Sequence, residues 1–240
     1  MNETLEERIA LYEPIREVVD LVRDSKIVLL VGITAAGKGT VIQELKETGK
    51  YHELVSHTTR EMRSNNGNPE QDGVEYHFID VQTAEHMVEQ KAFVEVKYVH
   101  GNIYGTSRAE LDQAKDEGKI VLCDVDIKGA EEYHHLNPDT VTIFLLPPNF
   151  NVWKKRLEAR DKKLPDDVRL SRFKTAVFEL ETVLARDYFQ FVINDDLSRV
   201  VEVVNSLADG KASETKNERA RAIARTLLND IKNTEDLVQD

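Results

Sequence analysis

The run Gly32-Ile33-Thr34-Ala35-Ala36-Gly37-Lys38-Gly39-Thr40 constrains the fold of this chain more than any other stretch. It follows the apolar segment Ile27-Val28-Leu29-Leu30-Val31 and leads into Val41, Ile42 and Leu45, which recur at helical spacing. Buried strand, glycine-rich turn, lysine and helix in that order form a cradle for phosphate. The N–H groups of the turn and the positive end of the helix converge on one point. Lys38 adds a mobile cation for the outer phosphates. Ser or Thr usually follows the lysine and ligates Mg²⁺. Here Gly39 takes that position and Thr40 comes next. Taken alone, the motif is also compatible with a β-to-α turn that binds nothing.

The rest of the chain continues an α/β rhythm. Strands are predicted at 26–31, 53–56, 119–125, 140–146 and 191–193. Helices are predicted at 39–48, 107–117, 152–160, 168–185 and 197–207. Buried strands alternating with helices predict a parallel sheet covered on both faces. The block from about 58 to 106 breaks the rhythm. It carries turn chemistry at Asn65-Asn66-Gly67-Asn68-Pro69. A strand at 76–79, a helix at 83–90 and a hairpin turning at His100-Gly101-Asn102 follow. This block reads as an inserted antiparallel subdomain. Before the first strand, Leu5, Ile9, Tyr12, Ile15, Val18, Val19 and Val22 keep helical spacing interrupted by Pro14. Such an extension either docks on the core or a partner, or is a solvated cap. Residues 209–217 look like a linker, and Ile223, Leu227 and Ile231 mark a tail helix.

Composition narrows the function classes. A formal net charge of -12 disfavours a general nucleic-acid or anionic-membrane surface. A phosphate ligand must then be gripped by a local basic cluster. The apolar fraction of 40% is enough for a core in a chain of 240 residues. No apolar stretch approaches the ~20 residues of a membrane helix, and the acidic N-terminus has no signal core. The cytoplasm is the expected location. Cys123, the only cysteine, sits in an apolar run and reads as a core residue.

A second basic site is carried by Arg60 and Arg63. Two guanidinium groups this close can grip one phosphate through several charge-assisted hydrogen bonds, with Tyr76 and Tyr104 as neutral donors. Solvated surface arginines are the ordinary alternative. Their company decides between the two. Ser56-His57-Thr58-Thr59-Arg60-Glu61-Met62-Arg63, Asp72-Gly73-Val74-Glu75-Tyr76-His77-Phe78 and Phe93-Val94-Glu95 stand in order. They are followed by Gly101-Asn102-Ile103-Tyr104-Gly105-Thr106-Ser107, Asp124-Val125-Asp126-Ile127-Lys128-Gly129 and Ile193-Asn194-Asp195-Asp196. From about Lys26 to Leu207 the chain resembles guanylate kinase.

That resemblance implies a P-loop three-layer α/β sandwich with a parallel core sheet, a small antiparallel GMP-binding insert (58–106) and a helical lid (153–175). The kinase-like domain would span 26–207, flanked by a helical extension (1–25) and a linker with tail helix (208–240). The implied reaction moves the γ-phosphoryl group of ATP to GMP, with dGMP as a second acceptor, in purine nucleotide metabolism. Gly32 to Thr40, with Lys38, would hold the ATP phosphates, and Asn194 would lie near the adenine. Arg60, Arg63, Tyr76 and Tyr104 would hold the GMP phosphate. Ser56, Glu95, Thr106 and Asp126 would read the guanine. Arg156, Arg160 and Arg172 would close over the transferring group. Mg²⁺ would accompany ATP, with Asp124 near it indirectly and Thr40 as the remaining hydroxyl.

The guanine assignment also has its own chemical logic. Guanine offers adjacent N1–H and N2–H₂ donors, and one carboxylate such as Glu95 can accept both. Adenine lacks that pair and would leave the carboxylate unpaired, a mismatch worth roughly 10⁴-fold in discrimination. The sequence departs from the family pattern at Gly39, in a longer Arg63–Tyr76 loop, at Lys128, and in the lysine-bearing loop 161–167. Two rival readings are a non-catalytic guanylate-kinase-like binding module and a same-fold kinase for another phosphorylated acceptor. The retained Lys38, Arg60, Arg63, Glu95 and Asp124 argue against the first, and the guanine-reading set against the second.

Overall fold

A computed structural model describes residues 4–65, 68–160 and 165–234. The elements run α1 (Leu5–Ala10), α2 (Arg16–Asp24), β1 (Ile27–Val31), α3 (Lys38–Glu47), β2 (Tyr51–Glu53), β3 (His57–Thr58), β4 (Ser64–Asn65) and β5 (Asn68–Pro69). There follow β6 (His77–Phe78), α4 (Val81–Glu89), β7 (Phe93–Val99), β8 (Asn102–Ser107), α5 (Arg108–Asp116), β9 (Ile120–Asp124) and α6 (Ile127–Leu136). The chain ends with β10 (Val141–Leu146), α7 (Phe150–Arg160), α8 (Asp166–Leu184), β11 (Gln190–Ile193), α9 (Leu197–Ala208) and α10 (Glu214–Lys232). Two compact units form. One contains the chain up to Lys26 together with Tyr51–Val121. The other contains Ile27–Lys50 and the chain from Leu122 onward.

The second unit is built on a sheet in the order β11-β10-β1-β9. β1 pairs with β10 and β10 with β11, all parallel. Every residue of β1 is buried, as expected for a strand covered on both faces. β10 is nearly as apolar and buried. Trp153, Phe173 and Phe150 of α7 and α8 pack ring against ring, Trp153 and Phe173 with centroids 5.1 Å apart. The tail helix α10 starts at Glu214, inside the segment expected as linker. Its Ala220, Ala224, Leu227 and Ile231 are buried along one stripe. The Asn217 side chain accepts from Phe191 N–H at 2.8 Å, so β11 does not leave that donor unpaired at the sheet edge.

α6 has no counterpart among the sequence-predicted elements. Gly129 interrupts its helical pattern, yet Asp126 caps it by accepting from Gly129 N–H at 2.7 Å. Its apolar stripe of Ile127, Ala130 and Tyr133 is buried. The strand expected at 53–56 is shifted to Tyr51–Glu53, anchored by buried Tyr51.

The first unit carries the sheet β6-β3-β8-β7. β3 and β6 are parallel, and β3–β8 and β8–β7 are antiparallel. The expected hairpin joins β7 to β8 through His100 and Gly101, both with positive φ (50° and 81°). That conformation matches the twist of the flanking strands and suits glycine. β4 and β5 form a small ribbon; Asn66-Gly67 of the predicted turn lie outside the described residues. The core gathers Phe93, Val96 and Ile103 with Ala84 and Val88 of α4 and Ile9 of α1. The N-terminal helices thus pack on this unit. The Tyr12 hydroxyl donates to Phe93 C=O at 2.7 Å and accepts from Phe93 N–H at 3.1 Å. Arg8 pairs with Glu85 and Glu89. No helix among the described residues is long and apolar enough to cross a membrane.

Candidate functional site

The residues expected to hold the ATP phosphates lie in the second unit. The glycine-rich turn joins β1 to α3, with Lys38 as the first residue of the helix. Ala35 and Gly37 both have positive φ, 64° and 97°. A side chain at Gly37 would meet Asn194 Nδ2 at 2.4 Å, so the position admits only glycine. The turn is held from behind by its carbonyls. Thr34 C=O accepts from the buried Trp153 indole at 2.8 Å. Ala36 C=O accepts from Asn194 Nδ2 at 2.9 Å and from Arg156 Nη1 at 3.3 Å. Arg156 Nη2 also donates to Asn194 C=O at 2.9 Å. Ala36 N–H is used within the turn, donating to Ile33 C=O at 3.0 Å, so the α3 N-terminus at Lys38 is the turn's main resource for an anion.

Lys38 Nζ lies 2.7 Å from Asp124 Oδ1, at the end of β9. Glu179 on α8 is a half-buried carboxyl that the sequence reading did not single out. Burial pushes it up to about 7; the attraction of Lys38 opposes this, and the Asp126 charge adds to it. Arg160 is exposed at the end of α7 and Arg172 half-buried on α8. Arg169 pairs with Asp166 at 3.1 Å. The loop residues 161–164 lie outside the described residues. A side chain at Gly39 would meet nothing within 4 Å, so no protein atom fills the room where a hydroxyl would sit. Thr40 is exposed in the first turn of α3. Asp124 retains 44% side-chain exposure and offers a hard oxygen ligand type. These donors fit a Mg²⁺ held mainly by phosphate and water rather than by a protein cage. Among the described residues no cluster of His, Cys, Asp and Glu could hold a metal by itself.

All but one of the residues expected to hold the acceptor lie in the first unit. Glu95 on β7 stands opposite Thr106 on β8. Thr106 Oγ1 donates to Glu95 Oε1 at 3.0 Å, and Ser56 Oγ lies 3.3 Å from Thr106 Oγ1. Three of the four residues expected to read guanine are therefore one hydrogen-bonded line. The fourth, Asp126, belongs to the other unit, where it caps α6. Arg60 is buried and forks onto Glu70, with Nη1–Oε2 and Nη2–Oε1 at 2.9 and 3.0 Å. The guanidinium lies over Tyr76 and Phe78, 5.3 and 5.6 Å from their centroids. Tyr76 and Tyr104 meet edge to face at 5.9 Å. Glu70 also accepts from Arg63 N–H at 2.7 Å, so it ties both arginine positions together. The Arg60 guanidinium, and then the Arg63 N–H, hold the Glu70 carboxyl below the usual range. The Arg63 side chain is exposed. Glu70 was missed by sequence reading because nothing in its local pattern marks it; it earns attention only where the chain folds back on Arg60.

A family model for guanylate kinase matches residues 24–210. A guanylate kinase from Syntrophotalea carbinolica is 34% identical over 203 residues, covering 83% of this chain and 93% of its own. One from Clostridioides difficile is 32% identical over 200 residues, covering 82% and 94%. The solved guanylate kinase of Anaplasma phagocytophilum matches with a TM-score of 0.56 at 23% identity, over 90% of this chain and 97% of that one. The structural match concerns the fold alone.

Proposed function

This chain belongs to the guanylate kinase family, and we propose that it transfers the γ-phosphoryl group of ATP to GMP, and to dGMP, giving ADP and the nucleoside diphosphate. The observation that carries this reading is the line Ser56–Thr106–Glu95. A phosphate-binding turn alone serves many kinases; a carboxylate oriented by a neighbouring hydroxyl, in the same unit as a buried arginine, suits a guanine nucleotide monophosphate. Glu95 would accept from guanine N1–H and N2–H₂. Arg60, Arg63, Tyr76 and Tyr104 would hold the acceptor phosphate.

On the donor side the α3 N-terminus and Lys38 would hold the ATP phosphates. An acceptor phosphate oxygen attacks the γ-phosphorus while the bond to the β-phosphate oxygen breaks. The attacking oxygen carries no proton that must be removed, so no side chain need act as a strong base. What the protein supplies is positioning and charge neutralisation. Lys38 would shift from Asp124 toward the phosphates as charge builds there. Arg156 would do its work by bracing the turn through Ala36 C=O, with Arg160 and Arg172 as the mobile cations over the transferring group. Mg²⁺ bound with ATP would supply neutralising charge to its phosphates, and Asp124 would hold it through water.

The test is ADP formation from ATP with GMP, dGMP, AMP, UMP or no acceptor. Turnover with GMP and dGMP alone is expected. Equal turnover with AMP would sink the guanine assignment. Folded protein inactive with every acceptor would point instead to a binding module. Lys38→Met should lower turnover by roughly 10²–10³-fold or more while calorimetry still registers GMP binding.

A further inference from the structure

A buried carboxylate outside the nucleotide-binding residues ties together the two segments that carry them on the acceptor side. Glu110 sits in the first turn of α5, with a side chain only 10% exposed. Its Oε2 accepts from Val55 N–H at 2.9 Å. Its Oε1 meets His77 Nε2 at 2.9 Å, and His52 Nε2 lies 3.6 Å from Oε2. Val55 directly precedes Ser56, and His77 directly follows Tyr76. The two segments also meet through the backbone, where His77 N–H donates to Ser56 C=O at 2.9 Å. The His77 ring in turn packs on His57, with centroids 4.7 Å apart.

Burying a carboxylate forfeits its hydration, and an apolar packing of the same volume would stabilise the unit at least as well. What the carboxylate adds is direction. Each oxygen accepts from one segment, so the carboxylate adds a directed side-chain tie to the backbone pairing that already joins the Ser56 and Tyr76 segments. We infer that Glu110, acting through Val55 and His77, is a positioning residue that, on top of the backbone pairing, holds the base-reading and phosphate-holding parts of the acceptor site in register. The inference rests on reading Ser56 and Tyr76 as acceptor-binding residues.

The test compares Glu110→Ala, Glu110→Gln and His77→Phe with the parent in steady-state kinetics. Glu110→Ala should raise KM for GMP about tenfold or more, since a misplacement near 1 Å can cost about 10² in rate, with KM for ATP within about twofold of the parent. Glu110→Gln should largely restore the parent value. Its amide oxygen can accept from Val55 N–H while its N–H₂ donates to His77 Nε2 in the other tautomer. An unchanged KM for GMP in Glu110→Ala would overturn the inference. So would equal rises in both KM values with no rescue by Gln, the mark of a merely structural group. If Glu110→Ala does not fold, His77→Phe removes one arm alone and should raise KM for GMP selectively; an unchanged value overturns the inference. Should the parent fail to phosphorylate GMP, the proposed activity falls. Amide exchange then decides positioning separately: faster exchange at Val55 and His77 in Glu110→Ala supports it, and parent-like exchange overturns it.

Discussion

Individual side chains here act through environments that no local pattern announces. Glu179 is the clearest case. Its carboxyl is pushed up to about 7 from 4.5, chiefly by burial. The folded state therefore keeps a proton that the unfolded chain releases between those values. The stability this contributes is complete below 4.5 and is lost as pH rises through 7. Glu179→Gln is neutral at every pH, so the variant should match the parent near pH 4.5 and exceed it by about 1 kcal/mol at pH 8, after discounting for solvent screening. Urea denaturation at the two pH values measures this, and parallel stability curves would refute it. Glu70 and Glu110 make the same point from the opposite side. Each is an unremarkable glutamate in sequence, and each becomes a hub because donors outside its own segment turn toward it.

At the level of elements, the predicted strands and helices form wherever apolar periodicity was strong. Misreadings fall where capping or tertiary burial overrides the local pattern. α6 forms around Gly129 because Asp126 caps it and its apolar stripe finds the core. α10 extends into a charged segment because its buried stripe and the Asn217 contact hold it on β11. That contact carries a prediction. Asn217→Ala leaves the buried Phe191 N–H without its acceptor and should cost about 1–2 kcal/mol. Thermal unfolding reads the loss. An unchanged midpoint would mean that water or a shifted neighbour replaces the amide. The β7–β8 hairpin was legible because its turn residues and alternation are local; the line from Ser56 to Glu95 that depends on it was reached only through the resemblance.

At the level of the whole molecule, the N-terminal helices are part of the first unit's core rather than an appendage. Ile9, Val18, Leu21 and Val22 are all buried. Each contributes about 1.5–3 kcal/mol by burial, so together they rival the roughly 5–15 kcal/mol that stabilises a whole domain. A chain beginning at Lys26 should therefore lose cooperative unfolding of the first unit, seen as early amide exchange along β7 and β8. Parent-like protection there would show that the extension merely rests on the surface.

The sequence by itself determined the parallel α/β core, the glycine-rich turn after the first strand and the family. These are written in short-range patterns: runs of apolar residues, glycines where the backbone must turn, a lysine at a helix start. Tertiary structure alone decided what fixes those residues in place. Asn194 and Arg156 brace the turn from across the sheet, Glu70 forks onto Arg60, and Glu110 spans Val55 and His77. Such contacts join positions far apart in the chain, and their energy depends on burial and direction, which exist only after folding.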